Sequence, residues 1–290
     1  MANVCTEGVD TGFVALGYAK VAALGVVQGI TELLPISSTA HMRIVPALLG
    51  WRDPGSAFSA AMQLAALAAV VSYFWSDIWG LTTGSINAIV KRDFRDKSFR
   101  FALGIVVATI PIIVFGLLFK KLLNTCDTPL RGLQVIGISC IVMGVLLVLA
   151  QLYCNHTRKA ESATMTDFLI VGLAQVGALI PGVSRSGSTL TAAMFRDFEA
   201  EEAARFSFLM GLPAITAAGL LEFLELWKAG IGAEAWMILG VGLAVASASA
   251  FAAIWGLMRL LENFSSWPFA IYRIGLGVLL LVGFQMGWLA

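Results

Sequence analysis

The chain has 290 residues, 59% of them hydrophobic and 13% charged, with a mean hydropathy of +0.86. Soluble domains are about half apolar and a quarter charged, so a single aqueous core cannot hide this much apolar surface and the composition implies an integral membrane protein. A net charge of only +1 argues against nucleic acid as a partner, because phosphate-backbone binding needs a basic face.

In chain order, Glu7 and Asp10 precede the first basic residue, Lys20. That polarity is wrong for a signal peptide, so the first segment is expected to be kept. Residues 13–50 form an apolar stretch that breaks at Pro35, passes through Ser37, Ser38 and Thr39, and resumes as a short helix. The apolar part is shorter than the roughly 20 residues of a bilayer crossing, which predicts a re-entrant hairpin. Apolar runs at about 56–75, 101–119 and 132–152 follow and are long enough to cross, with a dense charge run at 91–100 read as a solvated loop. A second re-entrant hairpin is expected at 166–196, broken at Pro181-Gly182, and three more crossings at about 203–226, 234–258 and 268–288. Non-helical backbone at membrane depth is tolerated only where protein or a water-filled cavity covers it. The four cysteines, at 5, 126, 140 and 154, show no C-x-x-C pairing and are read as packing residues.

The two hairpin segments are versions of each other. Gly25-x-x-Gln28 and Gly172-x-x-Gln175 are each followed by a proline and a hydroxyl cluster, Ser37-Ser38-Thr39 in one and Ser184-Arg185-Ser186-Gly-Ser188-Thr189 in the other. An offset of 147 residues (175 − 28) in a chain of 290 is what an internal duplication leaves. The expected architecture is therefore one all-α integral membrane domain over 1–290, with six transmembrane helices and two re-entrant helical hairpins in an inverted-topology repeat, 1–155 and 156–290. In membrane proteins of this kind the working site lies where the copies meet.

Three crossings separate the hairpins, so they enter from opposite faces. One side receives Lys91, Arg92, Arg95, Lys97, Arg100, Arg158, Lys159, Arg196, Arg205 and Arg259; the other receives Arg52, Lys120, Lys121, Arg131 and Lys228. The positive-inside rule makes the first side cytoplasmic, the first hairpin then opening outward and the second to the cytoplasm.

Gln28 and Glu32, at i and i+4, share a helix face. A carboxylate in a membrane segment costs about 2.5 to 3.5 kcal/mol for Asp at a helix centre and is a functional candidate by default. Arg185 stands among Ser184, Ser186, Ser188 and Thr189, with Asp197 the nearest acid in sequence. A guanidinium kept in such a place calls for an anion, and its planar fork matches phosphate oxygens, with a helix N-terminus adding positive potential. The blander alternative is that Arg185 pairs with Glu32 and only pins the hairpins together. His41 follows Ser37, Ser38 and Thr39, so a nucleophile and a base come within reach of each other. Gln63 and Gln175, with Gln28, are read as lining the cavity.

Read together, Gly25-Val-Val-Gln28-Gly-Ile-Thr-Glu32-Leu-Leu-Pro-Ile-Ser-Ser38-Thr-Ala-His41 and Pro181-Gly-Val-Ser184-Arg185-Ser186-Gly-Ser-Thr189 resemble the two signature motifs of the bacterial undecaprenyl-pyrophosphate phosphatase family, the bacitracin-resistance protein type. The resemblance covers essentially the whole chain. It implies a membrane hydrolase that removes one phosphate from the C55 isoprenoid pyrophosphate lipid at the outer face of the bacterial inner membrane, recycling the cell-wall carrier. It implies catalytic roles for Glu32, Ser38, His41 and Arg185, and phosphate contacts from Ser184 and Thr189, to which Ser37, Thr39, Ser186 and Ser188 are added. It implies a divalent cation, Mg²⁺ or Ca²⁺. Gln28 stands where that family's motif has Glu or Gln, and an amide brings no charge, so the cation is expected near Glu32, with Gln28 beside it, held largely by the substrate pyrophosphate. The expected partners are that lipid and the membrane, with a homodimer left open.

Ser38 attacking with His41 or Glu32 as base is the first mechanism considered; His41 as nucleophile and direct attack by water are the others. A transporter or flippase for a phosphorylated polyprenyl lipid shares the architecture, but anion binding alone would need only Arg185 and amides. The absence of a Pro-Ser-Gly-His stretch counts against a lipid phosphatase of the acid-phosphatase-like type.

Overall fold

Apolar sequence that must satisfy its backbone internally folds as helix, and the computed structural model, which describes residues 11–119 and 132–287, contains twelve α-helices and no strand among those residues. Lys120, Lys121 and Arg131 of the charge count, Glu7, Asp10, Cys5 and Cys126 lie outside the described residues. The helices are α1 (Gly17–Leu33), α2 (Ser38–Leu48), α3 (Ser56–Ala61), α4 (Gln63–Tyr73), α5 (Trp75–Lys91), α6 (Lys97–Leu118), α7 (Leu133–Tyr153), α8 (Met165–Val176), α9 (Arg185–Met194), α10 (Ala200–Lys228), α11 (Ala233–Asn263) and α12 (Trp267–Gln285).

Among the described residues six helical stretches are long and apolar enough to cross a membrane, and the chain is a multi-pass membrane protein. Five of them, α6, α7, α10, α11 and α12, coincide with expected crossings. The sixth by length and composition is Gly12–Leu33, because a 3₁₀ turn at Gly12–Leu16 runs into α1 and lengthens the first hairpin's entering arm. The run expected to cross at 56–75 is broken into α3 and α4, and α4 bends by 79° into α5, the two together being long and apolar enough to cross as a broken span. Composition differs on the two sides of the bend. The Ala-rich α4 is buried against α10 and α11, whereas α5 mixes Asp77, Thr82, Thr83, Ser85 and Asn87 with outward-facing Trp75, Trp79, Ile86 and Ile89, a mixture suited to an interface. Phe74 marks the corner, buried against Tyr73 and Phe208.

Both expected hairpins are present as helix, break and helix, with α2 folded back on α1 and α9 on α8. Their partners exchange in pairs: α1 packs on α11 as α8 packs on α6, and α4 packs on α11 as α10 packs on α6, while α7 lies against α12 and α4 against α10. Matching glycines allow the matching contacts. A Cβ at Gly25 would stand 2.8 Å from the Gly242 carbonyl of α11, and one at Gly172 2.5 Å from the Ala108 carbonyl of α6, so small residues let these backbones touch.

The outer end of the second hairpin is latched by charge. Asp167, fully buried in the first turn of α8, accepts hydrogen bonds from Arg158, Arg196 and Thr164. Arg205 of α10 pairs with Asp77 of α5, and Glu202 accepts from the Ala160 amide, so the 155–162 loop, α9's end, α10's start and α5 gather at one end of the molecule.

Candidate active site at the hairpin tips

The two breaks have the same local cause and the same shape. A residue before proline is pushed out of the α region; Leu34 (ψ 144°) ends α1 before Pro35, and Ile180 (ψ 120°) is extended before Pro181. Three residues beyond Leu34 and four beyond Ile180 stand Ser37 (φ 74°) and Ser184 (φ 69°), each at positive φ. Each caps the next helix, Ser37 accepting from the Ala40 amide at 3.4 Å and Ser184 from the Gly187 amide at 3.2 Å. Serine at positive φ is strained and uncommon, and here it starts both α2 and α9 with their amide ends at the tips. The 147-residue offset of the sequence repeat holds for these caps, 184 − 37.

Glu32 is the centre of the cluster. Its Oε2 accepts from Ser38 Oγ at 2.6 Å and from Gln28 Nε2 at 3.0 Å. Arg185, carried by the other hairpin, brings Nη2 to 3.8 Å from Glu32 Oε1. That separation is an ion pair without a hydrogen bond, and both Nη atoms of Arg185 are buried with no hydrogen-bond partner. A guanidinium in that condition is incompletely paired, and a lock between hairpins would close the gap; this arrangement leaves the donors free for a further anion. Gly211 of α10 makes the room, since a Cβ there would fall 2.0 Å from Nη1.

His41 faces elsewhere. Its Nδ1 lies 2.7 Å from the Ser37 carbonyl and its Nε2 2.6 Å from the hydroxyl of Tyr272 on α12, with the two rings stacked. A carbonyl only accepts, so Nδ1 carries the proton and His41 makes no hydrogen bond to Ser38. Ser186 donates to the carbonyls of Glu32 and Leu34 at 3.3 and 3.2 Å and is 3.2 Å from Ser184 Oγ, joining the tips directly.

Other expected site residues are placed apart from this network. Ser188 and Thr189, expected at the phosphate, turn back to the Arg185 carbonyl, and Thr189 also meets Ser207 of α10; within a helix a hydroxyl reaches the carbonyl three or four residues back more easily than a group beyond its own turn. Thr39 is exposed on α2. Gln63 is half-buried at the start of α4 and takes no part in the network. Gln175 is fully buried with both amide atoms unpartnered, and position 179, where the first hairpin's Glu32 would recur to accept from its amide nitrogen, is leucine.

Arg273 is the residue that motif reading passed over. It is 1% exposed on α12 and donates to the carbonyls of Pro35 (3.1 Å), Gly182 (2.9 Å) and Val183 (2.7 Å), so one guanidinium holds the unwound backbone of both breaks. Its signal was in the sequence: it is the one charge inside the 268–288 run, and a lone cation in a crossing marks function or buried partners.

Comparison with known proteins agrees with the motifs. The family model described as bacitracin resistance protein BacA matches residues 21–279. Undecaprenyl-diphosphatase 2 of Mesorhizobium japonicum is 65% identical over 263 residues, 91% of this chain and 100% of the relative. Undecaprenyl-diphosphatases of Trichormus variabilis and a Synechocystis species are 46% and 45% identical over 97% and 98% of this chain and 88% of each relative. With motif spacing, hairpin geometry and near full-length similarity in accord, the chain belongs to the bacitracin resistance protein BacA family.

Proposed function

We propose that the protein is an undecaprenyl-diphosphatase, hydrolysing the C55 isoprenoid pyrophosphate lipid to undecaprenyl phosphate and inorganic phosphate and so recycling the cell-wall carrier. The observation that carries this reading is Ser38 Oγ donating at 2.6 Å to a carboxylate that stands 3.8 Å from a buried guanidinium with free donors. Nucleophile, base and anion clamp converge, which pure transport of an anion does not require.

Ser38 Oγ attacks the terminal phosphorus and its proton passes to Glu32. The bond from that phosphorus to the bridging oxygen breaks, and the lipid monophosphate leaves with the electron pair. Water then adds to the phosphoserine, Glu32 returns the proton to the serine oxygen, and phosphate departs. Arg185, the first-turn amides of α2 and α9 and Ser184 bind the pyrophosphate oxygens, stabilising the charge that spreads over the transferring group, while Ser37 and Ser186, their hydroxyls buried in the tips, hold the two breaks together. Ser188 and Thr189 keep the α9 turn in shape. His41, turned toward Tyr272, supports the tip, which leaves Glu32 as the base.

The donors present suit a cation that comes with its substrate. Among the described residues no three His, Cys, Asp or Glu side chains cluster as a metal cage, but Glu32 and the unpartnered, buried Oε1 of Gln28 offer two hard oxygens beside the phosphate site. Mg²⁺ is content with one or two carboxylates plus phosphate oxygens and waters, and the contribution of such a cation, or of Ca²⁺ in its place, would be to neutralise pyrophosphate charge.

The halves 1–155 and 156–290 are read as inverted repeats, supported by the paired serine caps and the exchange of packing partners. The excess of basic residues at the end joined by Arg158, Arg196 and Arg205 supports a cytoplasmic position for that end, with the first hairpin opening to the periplasm from the inner membrane. The decisive assay is purified protein in detergent with C55 pyrophosphate, scored for free phosphate with and without chelator. Release that depends on cation is expected, and label from terminally ³²P-labelled substrate should map to Ser38. No release with cation present would favour the transporter, and label on another residue would overturn the serine mechanism.

A further inference from the structure

α12 touches the site with two consecutive residues that do different work. Arg273 holds backbone, as described; Tyr272, about 100° round the helix from it, reaches the imidazole. Its hydroxyl is 2.6 Å from His41 Nε2 and its ring lies 5.7 Å from the imidazole at an interplanar angle of 7°. The opposite nitrogen is committed to the Ser37 carbonyl at 2.7 Å. With Nδ1 donating to that carbonyl, the neutral imidazole has Nε2 as its acceptor, so the phenol O–H donates.

Resting on the phosphatase reading of Ser38 and Glu32, we propose that Tyr272 is a positioning residue for the hydrolysis. Its phenol holds His41 as the Nδ1–H tautomer, turned away from Ser38, and the Nδ1–H bond in turn fixes the Ser37 carbonyl and the strained residue that starts α2. Ser38 is the next residue along, so the direction of its hydroxyl toward Glu32 depends on this chain of contacts. Without the phenol the imidazole can rotate or exchange tautomers, the Ser37 bond is lost part of the time, and the Ser38 to Glu32 geometry loosens. Misplacing a nucleophile by about 1 Å costs up to roughly a hundredfold in rate, and a loosened rather than broken link should cost less.

The test combines kinetics and spectroscopy on the full-length protein in detergent. Y272F is expected to lower kcat about tenfold with KM changed less than about twofold, and to add nothing when placed on H41Q, since residues acting through one another are non-additive. Losses that multiply fully in the double variant would overturn the proposal. The chain has two histidines, so the imidazole ¹⁵N signals missing from H41Q belong to His41. In the wild type they should show a protonated Nδ1 and a hydrogen-bonded, unprotonated Nε2, and in Y272F the Nε2 signal should move or the tautomer change. A wild-type His41 protonated at Nε2 would sink the proposal whatever the kinetics. A wild type that releases no phosphate, its His41 signals being as expected, would sink the phosphatase reading instead.

Discussion

At the residue scale Arg185 is a buried guanidinium with both terminal nitrogens short of a hydrogen-bond partner, and the proposed anion clamp rests on it. Lysine keeps the charge but loses the fork, so R185K should reduce kcat/KM on C55 pyrophosphate by about a hundredfold or more, measured against wild type at equal folding. G211A tests the same group without touching it. Its Cβ would enter the space of Nη1, and a fall in kcat with little change in melting temperature is expected. Arg273 should behave in the opposite manner. R273M leaves the Pro35 and Val183 carbonyls without their Arg273 donor and the Gly182 carbonyl with only the weak Cys140 thiol, and at about 1–3 kcal/mol for each buried group so stranded thermal unfolding should show destabilisation of several kcal/mol.

At the scale of elements, the hairpins hold their place by close backbone contact. A methyl at Gly172 would meet the Ala108 carbonyl of α6, backbone that cannot move aside, so G172A should cost about 1–3 kcal/mol as overpacking does. G80A is the control: nothing stands within 4 Å of a Cβ at that position in α5, so helix propensity alone applies and melting should hold or rise slightly. The breaks themselves were legible, because Pro35 and Pro181 with their following hydroxyls announce them. The bend between α4 and α5 was not, since hydropathy measures how apolar 56–75 is and is blind to the packing of Phe74 that turns it.

At the scale of the whole molecule, the proposed orientation is tested by labelling loops at its two ends. Single cysteines placed at Ser162 and at Arg52, both exposed, in a chain freed of its native cysteines, should react with an impermeant maleimide from opposite faces, position 52 from the periplasm. Both reacting from one face would contradict the inverted arrangement. The same experiment bears on where phosphate is released, as the proposed nucleophile, Ser38, lies on the first hairpin.

The membrane class, the two broken helices, their matching sequence pattern and the candidate residues Glu32, Ser38 and Arg185 were determined by the sequence, because composition, proline and a repeated spacing are local properties of the chain. Which of the many hydroxyls and bases work together was decided only by tertiary structure. Ser38 meets Glu32 and not His41, Ser188 and Thr189 turn inward, and Tyr272 and Arg273 arrive from a helix more than two hundred residues away from the first tip. Hydrogen bonds depend on direction and on distances of a few tenths of an ångström, and those are fixed by how helices pack, which no linear pattern records.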